Sequence, residues 1–276
     1  MTVGIGALCE TESDPRAIVA ADRLVTTGLG TRIEYEHTNS KMERITQSDG
    51  VLAVAVGAGA VSLTDELLYK TRGKLDQTQD MTVRSVAEKA VDASTDLIRE
   101  SIERQVLAPY GFDSHNEFNE KQKALDKGIV SSIQRDILDK KDAIFSQMNV
   151  LIAGVDSEGA HLYGIRQNDM ARHDSIGYHT AGSGSDPAES SFIRNQYNDT
   201  CDKKDAVMSV VEAKIRAEEA QGVGRQMDIA IISQDGIQAV DNDKIAHLRE
   251  IHEEITEEER TARKSVLREK DYNLED

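Results

Sequence analysis

The sequence predicts an α+β fold in which two β-sheets are sandwiched between helical layers. Two observations carry that expectation. Apolar periodicity changes along the chain in the order strands, two helices, strands, two helices, strands, and no internal repeat at a fixed spacing competes with it. The run VLAVAVGAGA over 51–60 is apolar throughout, as a strand covered on both faces would be.

Taken in order, VGIGALC (3–9) and AIVAAD (17–22) are short runs of small apolar residues. They are separated by ETESDP, whose proline and turn formers predict a buried hairpin. IEYEH (33–37) alternates before a turn at TNSK, and MERIT (42–46) meets the apolar run across SDG, so the first sixty residues read as mostly β. From Val61 the period becomes helical, with Leu63, Leu67, Leu68 and Leu75 at helical spacing. Residues 81–107 repeat that pattern behind Thr82 as an N-cap, with Glu88 too late for an ideal capping box. Residues from about 108 to 145 form a polar helical insertion. Strands return at NVLIAGVD (149–156) and AHLYGI (160–165), followed by YHTAGSGSDP and helices over 188–197 and 203–221. MDIAIIS (227–233) and IQAV (237–240) close with a hairpin. Beyond Asp241, Ile245, Leu248, Ile251 and Ile255 form one stripe on a charged helix that projects from the body. One domain over 2–240 and a charged helix over 241–276 is the expected organisation.

Composition narrows the function classes. Aromatic residues are 4% of the chain and Trp is absent, so the core is built from Ala, Val, Ile and Leu. Asp and Glu number 50 against 33 Lys and Arg, and the formal charge of -17 repels phosphate backbones and anionic lipid headgroups. Neither nucleic acid nor a membrane is an expected partner. Acidity spread along the whole chain resembles that of proteins from salt-loving archaea. Cys9 and Cys201 are too few for a disulfide framework, which points to a reducing compartment. With no basic leader and no run of about 20 apolar residues, a cytoplasmic protein without signal peptide or span is expected. The seven His include no HExxH, and His247 and His252 do not share a helical face, so no metal and no cofactor are expected.

Thr2 is the first candidate for chemistry. Met followed by a small residue is the usual substrate of methionine aminopeptidase, so Thr2 is expected to become the N-terminus. A terminal threonine holds nucleophile and base in one residue, because an α-amine with a reference pKa near ~7.7–8.0 can accept the hydroxyl proton. Met-Thr alone is a weak signal; the strand beginning at Val3, which sets the terminus at a sheet edge, strengthens it. Asp22 ends the second apolar run and Lys41 follows the TNSK turn, so a hairpin fold could bring both beside Thr2, where an ammonium favours the free amine. From pattern alone, ordinary surface charge is the simpler reading of each. TAGSGSDP (180–187) offers backbone N–H groups before a helix but lacks the lysine of a phosphate loop, and it reads as a tight turn near the centre. Gly57 and Gly59 permit close backbone approach, for an oxyanion N–H or for helix packing.

In order and spacing these segments resemble the β-type subunits of the 20S proteasome and their bacterial relatives, members of the N-terminal nucleophile hydrolase superfamily. TVGIGALC is similar to the family's opening strand and AIVAADR to the strand ending in its catalytic acid. NSKMERI is similar to the segment with its catalytic lysine, and VLAVAVGAG to the strand supplying the oxyanion N–H. NVLIAGVDSEGAHLYGI with HTAGSGSD is similar to its paired strands and Gly-Ser-Gly turn. The likeness covers most of 2–65 and 146–240. It implies a four-layer αββα sandwich, a peptide or protein substrate and assembly into a homo-oligomeric ring, and it leaves an ATPase partner open. It also implies Thr2 as nucleophile and base, Asp22 orienting Lys41, Lys41 tuning the amine, Ser183 supporting the amine or a water, and Ala55 and Gly57 facing the oxyanion or substrate backbone. RAEEAQGVGRQMD (216–228) stands where the family carries Asp and Ser supports, leaving Glu218 or Glu219 as the substitute. Residues 108–145 and the C-terminal helix have no counterpart in the standard β-subunit. The implied activity is amide hydrolysis through an acyl-enzyme on Thr2. The alternatives are a peptide ligase of the connectase type, in which an amine takes the acyl group, and a catalytically silent structural subunit.

Overall fold

Residue size along the opening strand sets how closely the two sheets can meet. In the computed structural model, which describes residues 2–27, 33–37, 40–48, 50–75 and 81–270, this strand is β1 (Val3–Cys9). Met1, Thr38 and Asn39 of the TNSK turn, Asp49 of the SDG turn and residues 271–276 of the C-terminal segment lie outside the described residues. Val3, Ile5, Ala7 and Cys9 face one way, whereas Gly4, Gly6 and Leu8 face the other. A β-carbon on Gly4 would lie 2.8 Å from Val56 Cγ1, and one on Gly6 would lie 2.6 Å from Leu162 Cδ1. The two glycines are what let the sheets approach here.

β1 pairs antiparallel with β2 (Arg16–Asp22), the hairpin expected across ETESDP. LVTT, too short to show a strand pattern in the sequence, forms β3 (Leu24–Thr27) and pairs with β4 (Ile33–Glu36) as a separate two-stranded hairpin. β5 (Met42–Ser48) pairs with β6 (Val51–Gly59), followed by α1 (Val61–Leu75) and α2 (Val83–Ile102). α3 (His115–Lys121) and α4 (Lys127–Phe145) lead to β7 (Met148–Asp156), β8 (Gly159–Arg166), β9 (Asp169–Arg172) and β10 (Tyr178–Gly182). α5 (Ser185–Arg194), α6 (Lys203–Ala217), β11 (Met227–Ser233), β12 (Gly236–Ala239) and α7 (Asn242–Glu269) complete the order.

One five-stranded sheet runs β10-β1-β2-β11-β12 and the other β5-β6-β7-β8-β9. Small residues fill the space between them: Ala17, Val19, Val54, Val56, Leu151 and Ala153. The outer face of the first sheet packs Ile5, Ile18 and Ile229 against Phe192, Val210 and Val211 of α5 and α6. The outer face of the second packs Ala53, Ala55 and Ile152 against Leu67, Val86 and Ala90 of α1 and α2. The result is a four-layer αββα sandwich. Ile245 and Leu248 anchor α7 on the α6 side, and residues 253–269 of that helix are exposed. No helix among the described residues is long and apolar enough to cross a membrane.

The start of α2 shows how the layers are tied. Thr82 accepts from Ser85 N–H, and Ser85 Oγ accepts from Thr82 N–H at 2.9 Å, so the capping box is closed by a serine at the third helical position without Glu88. Asp156 at the end of β7 accepts from Val83 N–H at 2.8 Å. His161 lies between Asp174, 2.7 Å away, and Asp156, 3.2 Å away. Its hydrogen bond to Asp174 holds the imidazole above its ordinary pKa against the opposing effect of burial.

Gly6→Ala should lower the unfolding free energy by about 1–3 kcal/mol, read as a lower denaturant midpoint at unchanged slope. His161 binds its proton more tightly folded than unfolded. Its contribution is therefore full below the ordinary imidazole value of about 6.5 and is lost as pH rises through the raised folded value. The stability gap between wild type and His161→Ala should narrow as pH rises above about 6.5, measured by denaturant titration.

Candidate active site

β1 begins one residue after Thr2 and β2 ends at Asp22, and the pairing of Gly4 with Ala21 sets these two strand ends side by side. On the other flank, Val3 pairs with Gly182 at the end of β10, so the 182–184 turn reaches the same point. Lys41 precedes β5, which edges the second sheet. Thr2, Asp22 and the 182–184 turn of the first sheet thus meet Lys41 from the edge of the second.

Thr2 Oγ1 donates to Asp22 Oδ1 at 2.6 Å. Lys41 Nζ donates to Thr2 Oγ1, to the Leu24 carbonyl and, at 3.0 Å, to Asp22 Oδ1. Asp22 is fully buried and also accepts backbone N–H groups from Val3 at 2.9 Å, Leu24 at 3.1 Å and Gly224 at 3.2 Å. A hydroxyl, an ammonium and three amides therefore replace the water this carboxylate gave up on folding. Burial pulls the Lys41 ammonium below the ordinary lysine range, opposed by Asp22 and then Glu36.

The Thr2 backbone nitrogen donates to Ser183 Oγ at 3.2 Å, and Ser183 Oγ donates to the Thr2 carbonyl at 3.3 Å. Gly182 makes this turn possible. Its φ is +97°, and a β-carbon there would lie 2.3 Å from the Thr2 carbonyl oxygen.

Two clefts meet at Thr2, Gly59 and Ala60. The first, about 730 Å³, is walled by Leu24, Tyr35, Lys41, Glu43, Gly57 and Asp65. The second, about 860 Å³, runs over Gln147, Arg166, His173, His179, Ser183 and Asp186. The rings of His173 and His179 stack with centroids 3.8 Å apart. Burial and the neighbouring His173 push His179 down to about 4, and burial also lowers His173, so the pair is neutral at pH 7.

The structure brings Thr2, Asp22, Lys41 and Ser183 together. Gly57 lines the first cleft, and its N–H donates to the Lys41 carbonyl at 3.3 Å. Ala55 does not reach the clefts; it is fully buried on the face of β6 turned to α1 and α2. Glu218 pairs with Lys214 at 2.6 Å and with Arg249, whereas Glu219 pairs with Arg216 at 3.3 Å on the surface. Both acids are hydrogen-bonded to cations of α6 and α7 instead of to Thr2, Asp22 or Lys41. The backbone donors of Val3, Leu24 and Gly224 carry no side-chain signal in the sequence. The histidine pair carries only a six-residue spacing that suits no metal motif. Among the described residues no group of three or more His, Cys, Asp or Glu could hold a metal ion.

No protein-family model matches the chain, and no curated protein matches it. The fold is similar to the solved structure of a Gly-1 mutant of Anbu from Hyphomicrobium sp. strain MC1, with a TM-score of 0.64 and 13% identity over 99% of this chain and 100% of that one. At that identity the likeness shows the fold alone, the four-layer αββα sandwich described above.

Proposed function

We propose that the chain is a threonine-type N-terminal nucleophile hydrolase that cleaves peptide or related amide bonds through an acyl-enzyme on Thr2. The observation that carries this reading is the hydrogen-bonded cluster of Thr2 Oγ1, Asp22 and Lys41 where two clefts meet. Residues 2–240 form the hydrolase unit in this reading, and assembly into a homo-oligomeric ring belongs to it.

A hydroxyl is a weak nucleophile until a base takes its proton. Cleavage of the bond after residue 1 turns the Thr2 nitrogen into an α-amine, part of which is neutral near pH 7 given an ordinary pKa of ~7.7–8.0. That amine accepts the Oγ1 proton as Oγ1 bonds to the scissile carbonyl carbon. The tetrahedral oxyanion collapses, the C–N bond breaks and the proton passes to the departing amine. Water, giving a proton to the same α-amine, then cleaves the ester and restores Thr2. Lys41 beside Oγ1 favours the neutral amine by like-charge repulsion and the developing alkoxide by attraction. Asp22 fixes Lys41, and Ser183 directs the amine. Gly57 lines the first cleft but gives its N–H to the Lys41 carbonyl, so it is not assigned the oxyanion in this reading.

The test is intact mass before and after treatment with a peptidyl epoxyketone, which closes a morpholine ring only on a free N-terminal amine with a neighbouring hydroxyl. Loss of Met1 and one adduct is expected, with no adduct on Thr2→Ala. Retained Met1 with no adduct supports a silent subunit instead. Lys41→Met should slow adduct formation about 10²-fold or more, measured on protein shown by circular dichroism to melt cooperatively.

A further inference from the structure

Asp22 is held from behind by a stretch that joins α6 to β11. Gly224 in that stretch gives its N–H to Asp22 Oδ2 at 3.2 Å, and its carbonyl accepts from Lys214 Nζ at 2.7 Å. Both ends of one residue are therefore clamped, one by the candidate acid and the other by a lysine on α6. A β-carbon on Gly224 would lie 2.5 Å from Glu36 Oε1 and 2.8 Å from Leu24 Cβ, so the backbone is also wedged sideways.

Lys214 is an expensive choice for this place. Its side chain is 0% exposed, and an apolar residue of similar length would avoid the cost of desolvating an ammonium. Its donors go to Glu218 Oε1 at 2.6 Å and to the carbonyls of Gly224 and, at 3.5 Å, Arg225. Glu218 also receives Arg249 of α7, and Arg249 donates to the Arg225 carbonyl. Burial lowers the Lys214 pKa, while Glu218 and the more distant Asp22 act to keep the ammonium charged. The charged groups around Asp22 are thus Lys41 in front and Lys214 behind, with the Arg23–Asp228 pair and Glu36 beside them.

We propose that Lys214 is a positioning residue of the Thr2 site. Through Gly224 it fixes the Asp22 carboxylate that holds Thr2 and Lys41, and through Glu218 and Arg249 it makes that placement depend on the docking of α7. The proposal rests on the hydrolase reading of Thr2.

Lys214→Met keeps the length of the side chain and removes its donors. Arg249→Met cuts the same chain of contacts at a residue 27% exposed, where loss of fold is not at issue. Two readouts are taken on each full-length variant. In Lys214→Met, amide exchange of Gly224, followed by NMR, should accelerate roughly tenfold, and epoxyketone adduct formation should slow by a similar factor. The acid limb of the rate profile should also move to higher pH, because a loosened Asp22 holds Lys41 less firmly against Thr2 and so weakens the ammonium that disfavours the protonated amine. Arg249→Met should move all three in the same direction by less. Cooperatively folded variants with wild-type Gly224 exchange and an unmoved acid limb would overturn the proposal. Should Lys214→Met fail to melt cooperatively, Arg249→Met decides alone. A wild type that takes no adduct sinks the hydrolase reading separately; Gly224 exchange in the variants then decides, faster exchange supporting the clamp and unchanged exchange overturning it.

Discussion

A carboxylate buried at the end of a β-strand must be satisfied from every direction, and Asp22 imposes that demand on much of the molecule. Its donors come from β1, from the start of β3, from the segment before β5 and from the stretch before β11. Those segments belong to the first sheet, to the β3-β4 hairpin, to the approach to the second sheet and to the connection beyond α6. Burying the charge without them costs several kcal/mol, so the arrangement forms together or not at all. Thr2 and Lys41 owe their mutual placement to this requirement more than to any direct attraction for each other.

The parts of this arrangement that are written in side chains were legible in the sequence. The small apolar runs at 3–9, 17–22 and 51–60 announce buried strands, whereas Asp22 and Lys41 read as ordinary surface charge from pattern alone and are singled out only by the family resemblance. The parts made from backbone were not. Gly224 and Leu24 act through their N–H groups, which every non-proline residue owns, so nothing in RAEEAQGVG marks the one amide that faces Asp22. Glu218 stood out as an acid near the site, but its partner is the buried Lys214, and only the fold of α6 reveals that a lysine in an amphipathic pattern points inward. Ala55 and Gly57 share a face of β6, yet only the latter lies near enough to the strand end to line a cleft. LVTT is four residues long and offers too little pattern to be told from a loop.

The two clefts differ in chemistry as well as in direction. Lys41 and the carboxylates of Glu43 and Asp65 make the first strongly charged, while the second sets a neutral aromatic stack beside Arg166. A chain lying across Thr2 would meet unlike surroundings on the two sides of its reacting carbonyl. In the proposed hydrolase, that asymmetry gives the site a polarity for its substrate before any specific side-chain pocket is considered.

The glycines that face inward from β1 have a bearing on reactivity as well as on packing. Lys41 hangs from one sheet and Asp22 from the other, so the gap between the sheets works like the jaws of a caliper closed on the Thr2 hydroxyl. If Thr2 is the nucleophile proposed above, opening the jaws by about 1 Å would leave a folded protein whose reacting groups no longer align, a displacement that can cost about 10²-fold in rate. Positions in the middle of the sandwich, far from any substrate, thereby act as the gauge that sets the working distance at its mouth.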